Sequence, residues 1–158
     1  MQSNLRSIVK SRFANNPALC YLPTSSECFT DAGVDFELRL LSSLAKKPTG
    51  IKVEDPFSPP FEEGIFISEL TKTHSLVFNK FCVCDEHVVV FPNAFERQDT
   101  PLTLADFEAA VCVVKSLTAF MFFNCGPLSG SSVLHKHMQF IPFSSTSSDL
   151  LPVEKAIL

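Results

Sequence analysis

No stretch of the 158 residues stays apolar for the ~20 positions a membrane-spanning helix needs; the longest such run is Ala119-Phe120-Met121-Phe122-Phe123. A secretion signal is not expected either, because Arg6, Lys10 and Arg12 interrupt the place where its apolar core would lie. That start, basic and without an acid, leaves a weak organelle signal open beside the expected cytoplasmic location. Basic excess is absent: the net charge is −4 and the pI about 5.5. Neither duplex nucleic acid nor a membrane surface is therefore expected as a partner. A small phosphate ligand held by two or three lysines is not excluded. The six cysteines, at 20, 28, 82, 84, 112 and 125, contain no Cys-x-x-Cys pair, which argues against both a zinc ribbon and a disulfide frame. Cys82 and Cys84 read as core thiols on one face of a strand. No internal repeat is visible.

What is present suits one domain of α+β class, long enough for a core. Leu5, Ile8, Val9 and Phe13 recur at helical spacing, so a helix is expected over residues 3–15. Asp35 to Leu40 alternates like a strand with one wet face, and Ser42 to Gly64, with four prolines, reads as a loop longer than the usual connection, a length that is often functional. Strands are expected over Ile65–Leu70, Ser75–Val83 and His87–Phe91, the last two as a hairpin turning at Asp85-Glu86. Thr103 is placed to cap a helix with Asp106 as its capping-box partner. The buried stripe of that helix is expected to be Leu104, Phe107, Val111, Val114 and Leu117/Thr118. A strand at Phe120–Phe123 follows. The boundary expected at the other end puts the domain at 1–143 and a flexible Ser/Thr-rich tail at 144–158.

The chemistry concentrates between Asn124 and Ile141. Gly126 to Ser132 is a small-residue turn able to aim N–H groups and hydroxyls at one anion. His135 to Ile141 alternates, so a strand would put His135, His137 and Gln139 on one face and Lys136, Met138 and Phe140 on the other. Three readings of the two histidines stand open. They can be ordinary histidines. They can form a His-x-His metal pair, which needs further ligands, and His74 and His87 are the only other histidines. Or a neutral imidazole can attack an activated phosphorus and form a phosphoramidate, splitting one displacement into two easier ones.

His135-Lys136-His137-Met138-Gln139, preceded by Asn124-Cys125-Gly126-Pro127-Leu128-Ser129-Gly130-Ser131-Ser132, resembles the N-terminal half of the diadenosine tetraphosphate phosphorylases, also called ATP adenylyltransferases, of the histidine-triad superfamily. Leu44-Ala45-Lys46-Lys47-Pro48, Phe78-Asn79-Lys80-Phe81 and Phe95-x-x-Gln98-x-x-x-Leu102-Thr103 are similar to that family in the same order. The resemblance implies a histidine-triad-like antiparallel sheet with a covering helix. It implies cleavage of diadenosine tetraphosphate by phosphate to ADP and ATP through a nucleotidyl-histidine on His137. It also implies nucleotide contacts from Lys47, Asn79, Lys80, Asn124, Gly130, Ser131, Ser132, Val133 and Gln139. His135 would orient the site, His74 and His87 would be structural, and no protein metal is expected; magnesium would accompany the substrate. The partners implied are diadenosine tetraphosphate, ATP, ADP and phosphate.

The family's chains are about twice as long, and their later half holds the second nucleotide. The resemblance therefore leaves a second function open, a nucleotide-binding module with little or no turnover. It also implies a His strand near a sheet edge, beside an incomplete pocket.

Overall fold

Helix α1 (Gln2–Phe13) turns Val9, with Leu5, Ile8 and Phe13, toward the core, as the spacing requires. The computed structural model describes residues 2–22, 24–41, 55–143 and 154. The proposed tail boundary therefore cannot be placed on it, and of the long loop only residues 55–64 are described. After α1, strands β1 (Ser25–Asp31) and β2 (Val34–Leu40) form a separate antiparallel hairpin. Its turn has positive φ at Ala32 (48°) and Gly33 (78°), the two-residue geometry whose twist matches paired strands. β1 was not expected, because Ser-Ser-Glu-Cys-Phe-Thr-Asp shows no apolar alternation. It is held by its register on β2, where Phe29 lies opposite Phe36 and the rings stack at 5.3 Å.

The main sheet has five antiparallel strands: β3 (Phe66–Glu69), β4 (His74–Phe78), β5 (Val88–Pro92), β6 (Ala119–Phe122) and β7 (Met138–Pro142). Their order is β3-β4-β5-β7-β6. β5 and β6 are joined through helix α2 (Leu104–Leu117), and β7 inserts between them, a split β-α-β arrangement. The His strand was expected near a sheet edge, and β7 is the second strand from one edge, covered there by β6. β7 pairs with β5 on one side and β6 on the other, so its backbone is satisfied on both flanks. The regular strand also starts later than expected, at Met138, with His135 tied only by an isolated bridge to Arg97.

β4 ends at Phe78, short of the expected Val83. Residues 79–87 form a turn-rich connection, so Cys82 and Cys84 are buried loop thiols, not strand residues. Burial pushes the Cys84 thiol up to about 11, which keeps it protonated and inert.

One face of the sheet carries Leu76, Phe78, Val88, Val90, Met138 and Phe140, and both helices cover it. Thr103 caps α2 as expected: its hydroxyl accepts from the Asp106 N–H at 3.3 Å, and its own N–H donates to Asp106 Oδ2 at 2.6 Å. The buried stripe is different from the expected one. Ala109, Ala110, Val113 and Leu117 face the sheet, whereas Leu104 is 76 % exposed and Phe107 49 %; Val111 and Val114 are exposed as well. The expected residues, Leu117 apart, lie one helical face around from the buried side. Leu117 alone of the expected stripe is in the core.

Candidate active site

The opposite face of the sheet holds the candidate site residues. Alternation along 135–139 sends Lys136 and Met138 under α2 and sends His135, His137 and Gln139 to the other side, beside Val89 and Phe91. That side is roofed by the described end of the long loop. Phe57 stacks on Phe91 at 4.6 Å and lies 5.4 Å from the His137 ring; Phe61 packs beside it.

His137 is 8 % exposed. Its Nδ1 lies 2.9 Å from the His135 carbonyl oxygen, an acceptor only, so Nδ1 carries the hydrogen. Nε2 then carries the lone pair, and it meets no hydrogen-bond partner among the described residues. Burial pushes the ring's pKa below the ordinary value, outweighing the bond to the His135 carbonyl; the neighbouring His135 pushes the same way as burial. A neutral, oriented imidazole with an open nitrogen is the form a histidine nucleophile requires.

His135 differs. Its Nδ1 lies 2.6 Å from Asp55 Oδ2 and its Nε2 2.8 Å from the Pro92 carbonyl oxygen, so both ring nitrogens are engaged by acceptors. No nitrogen is left to join His137 on a metal. Among the described residues no group of three His, Cys, Asp or Glu side chains could hold one.

The backbone of His137 is clamped by Gln98, whose buried Oε1 accepts from the His137 N–H at 2.7 Å. Its Nε2 donates to the Asn124 carbonyl at 2.7 Å and to the His137 carbonyl at 3.2 Å. One amide thus ties the start of the Gly/Ser loop to the His strand. Neither Gln98 nor Asp55 was expected to act at the site. They lie 39 and 80 residues from their histidine partners, and no local signal links them. Gln98 does fall within a segment that carried the resemblance.

The loop itself is arranged differently from the simple expectation. Pro127–Ser129 forms a 3-10 turn. The N–H groups of Ser129 and Ser131 donate to the Gly126 carbonyl, and that of Gly130 to the Pro127 carbonyl. The Ser131 hydroxyl donates to the Val133 carbonyl at 3.0 Å. Gly130 and Ser131 therefore do not offer these donors to an anion here. Ser132 keeps both its hydroxyl and its N–H without a partner among the described residues. Gly130 has φ 93°, and a Cβ there would lie 3.5 Å from Asn124 Nδ2, which places these two expected site residues together. A cleft of about 360 Å³ opens beside the loop, lined by Gly126, Ser131, Ser132 and Val133 with Arg97 and Asp99; His137 does not line it.

Asn79 and Gln139 are brought together across the sheet, their side chains 3.3 Å apart. Lys80 follows Asn79, and its ammonium donates to both Glu62 carboxylate oxygens, at 2.6 and 2.9 Å. That pair is half exposed, so it is weak enough to be exchanged for another anion. Lys47 lies outside the described residues. His74 is far from this face: it bonds Asp106 at 3.0 Å under α2.

The sequence pattern of the family described as Ap4A phosphorylase N-terminal domain matches residues 3–158. The chain is 37% identical over 126 residues to diadenosine 5',5'''-P1,P4-tetraphosphate phosphorylase 2 of Saccharomyces cerevisiae, covering 64% of this chain and 39% of that protein. It is 34% identical over 115 residues to protein APA1 of the same yeast, covering 64% and 36%. Its fold is similar to yeast Ap4A phosphorylase Apa2 in complex with AMP, with TM-score 0.80 and 27% identity over 98% of this chain and 53% of that one. The complex of Apa2 with Ap4A gives TM-score 0.77 and 28% identity, over 88% and 51%. The chain thus spans about half the length of the solved yeast enzyme, and the matched segments are under two fifths of the curated relatives.

Proposed function

Since the chain belongs to the Ap4A phosphorylase N-terminal domain family, we propose that it is a nucleotidyltransferase acting on diadenosine tetraphosphate through His137. Nε2 of His137 attacks an α-phosphorus, forming a P–N bond as the bond to the bridging oxygen breaks and ATP leaves. Inorganic phosphate then attacks the same phosphorus, ADP leaves, and the imidazole regains its lone pair. Magnesium enters only as the counter-ion of the substrate's phosphates.

The observation that carries this reading is the His137 tautomer: Nδ1–H donated to the His135 carbonyl, Nε2 open, in a ring that burial keeps neutral. Negative charge that builds on the phosphoryl oxygens would meet Ser132 and the Gln139 amide. Lys47 and Lys80 would neutralise the outer phosphates, Lys80 by leaving Glu62. Asn79, Asn124, Gly130, Ser131 and Val133 would shape the nucleotide pocket. Yeast relatives seen in complex with AMP and Ap4A support a small-nucleotide ligand.

The test is phosphorolysis of diadenosine tetraphosphate with magnesium and phosphate, with ADP and ATP quantified by chromatography. Wild type should form both, and His137→Ala should form neither while still binding ATP. Turnover by purified His137→Ala removes the mechanism. A second reading, a nucleotide-binding module without turnover, is favoured by the inward-turned N–H groups of Gly130 and Ser131. It predicts saturable ATP binding by a folded wild type that releases no product.

A further inference from the structure

Asn79, His87 and Gln139 form a hydrogen-bonded group whose every direction is set by one main-chain donor. The Phe81 N–H can only donate, and it lies 3.1 Å from one end of the Asn79 amide. That end is therefore Oδ1, and the NH2 end faces Gln139 and the His87 ring. The Gln139 atom 3.3 Å from this donor must accept, so it is Oε1. His87 Nε2 lies 3.1 Å from the same Oε1, so it carries a hydrogen and donates. Burial pushes the His87 pKa down to about 4, more strongly than the Gln139 bond raises it, so the ring is neutral and its Nδ1 holds the lone pair. The Asn79 NH2 group lies 3.4 Å from Nδ1 and 3.3 Å from Nε2, so it does not distinguish the two ring nitrogens, and the tautomer is assigned from the Nε2–Oε1 contact. Two donors thus converge on Gln139 Oε1. The Gln139 NH2 is turned away from both, without a partner among the described residues, on the face it shares with His137.

We propose that His87 is a positioning residue: with Asn79 it holds the Gln139 carboxamide so that its NH2, and not its carbonyl, faces the phosphoryl group at His137. This rests on the transferase reading above. A free glutamine can rotate by half a turn and present an oxygen lone pair to the phosphate, an arrangement that repels. With both donors on Oε1 that rotation costs two hydrogen bonds. The inference goes beyond assigning Gln139 to the site, because it gives a role to a buried histidine that acts through Gln139.

The test has a ligand-free arm and a kinetic arm. In the free protein, the ring ¹⁵N shifts of His87 should report the Nε2–H tautomer near neutral pH; the Nδ1–H tautomer overturns the proposal whatever the enzyme does. Kinetically, His87→Phe keeps a ring of similar size and removes the donor. Its phosphorolysis kcat should fall about tenfold or more, short of the ~10²–10³ of removing an oriented donor outright because Asn79 still holds Oε1, with KM little changed. His87→Gln restores an N–H and should recover most of the rate. In a Gln139→Ala background the His87→Phe change should have no further effect; an equal loss there shows a merely structural role and overturns the proposal. If His87→Phe fails to fold, His87→Leu, which also removes the donor, takes its place in both backgrounds. Absence of phosphorolysis by the wild type, with the Nε2–H tautomer present, breaks the transferase reading and leaves the clamp. Turnover that ignores His87 breaks the clamp and leaves the transferase.

Discussion

Lys136 and His137 are neighbours in sequence and opposites in circumstance. Lys136 is 1 % exposed, and its ammonium donates to Glu96 at 2.6 Å, the Pro101 carbonyl at 3.1 Å and Asp106 at 3.5 Å. Asp106 in turn accepts from Thr103 and His74. Although burial works against its ionised form, these bonds and Lys136 hold the Asp106 carboxyl below the usual range. Every hydrogen of the lysine is engaged on that face. On the other face His137 has one nitrogen engaged and one open, and Gln139 has its oxygen engaged and its NH2 open. A saturated buried network holds a strand in place, because any displacement leaves a charge unpaired. A face with unused donors and lone pairs is where a ligand gains most. The two sides of the 135–139 segment thus separate a saturated network from open hydrogen-bonding groups.

The comparison can be broken most severely from the anchoring side. Lys136→Ala should cost about 3–5 kcal/mol of stability, because Asp106 stays buried without its cation. Urea unfolding would measure it, and a loss under about 1 kcal/mol would show that the network does not anchor β7. His137→Ala, whose ring has only the bond to the His135 carbonyl, should change stability far less while removing turnover.

Acid sharpens the same contrast on the chemical face. The His87 ring binds a proton in the unfolded chain below about pH 6.5 but in the folded chain only near pH 4. The unfolded state therefore holds more protons through that window, and stability falls as pH drops from about 6.5 to 4. The largest contribution is roughly 3 kcal/mol. Unfolding free energies of wild type and His87→Gln, measured across this range, should diverge from a common slope. Parallel curves would show that His87 is not held neutral.

The smallest effect separates the two sides of α2. Val113→Ala removes buried methyl groups and should cost about 2 kcal/mol, whereas Val111→Ala, on the exposed side, should stay within about 0.5 kcal/mol. Equal losses in thermal unfolding would place the exposed stripe under something that covers it.

Reading α2 from its sequence succeeds at its start and fails at its face for one reason. Thr103 and Asp106 are three residues apart, and a capping box is a local structure. The face is not local. Apolar residues occur on nearly every side of this helix, so periodicity leaves the buried side open. Packing against the sheet then selects Ala109, Ala110, Val113 and Leu117 over Leu104, Phe107, Val111 and Val114. β1 was illegible because its strand character comes from pairing with β2, not from its own composition. The same division runs through the site. Alternation of 135–139 placed His135, His137 and Gln139 on one face, since side-chain period along an extended chain is a covalent property. That Gly130 and Ser131 turn their N–H groups into the loop depends on the 3-10 turn that Pro127 opens.

By itself, then, the chain's sequence determined the α+β class, the cap of α2, the identity of the motif and its family, and which residues of the His segment share a side. These follow from short-range geometry and from motif spacing. Tertiary structure alone decided that β7 lies inside the sheet, that Gln98 and Asp55 reach back across 39 and 80 residues to hold the two histidines, and that His87 rests on Gln139. Those contacts depend on where distant segments come to lie once the sheet is assembled, and no periodicity within a segment encodes that.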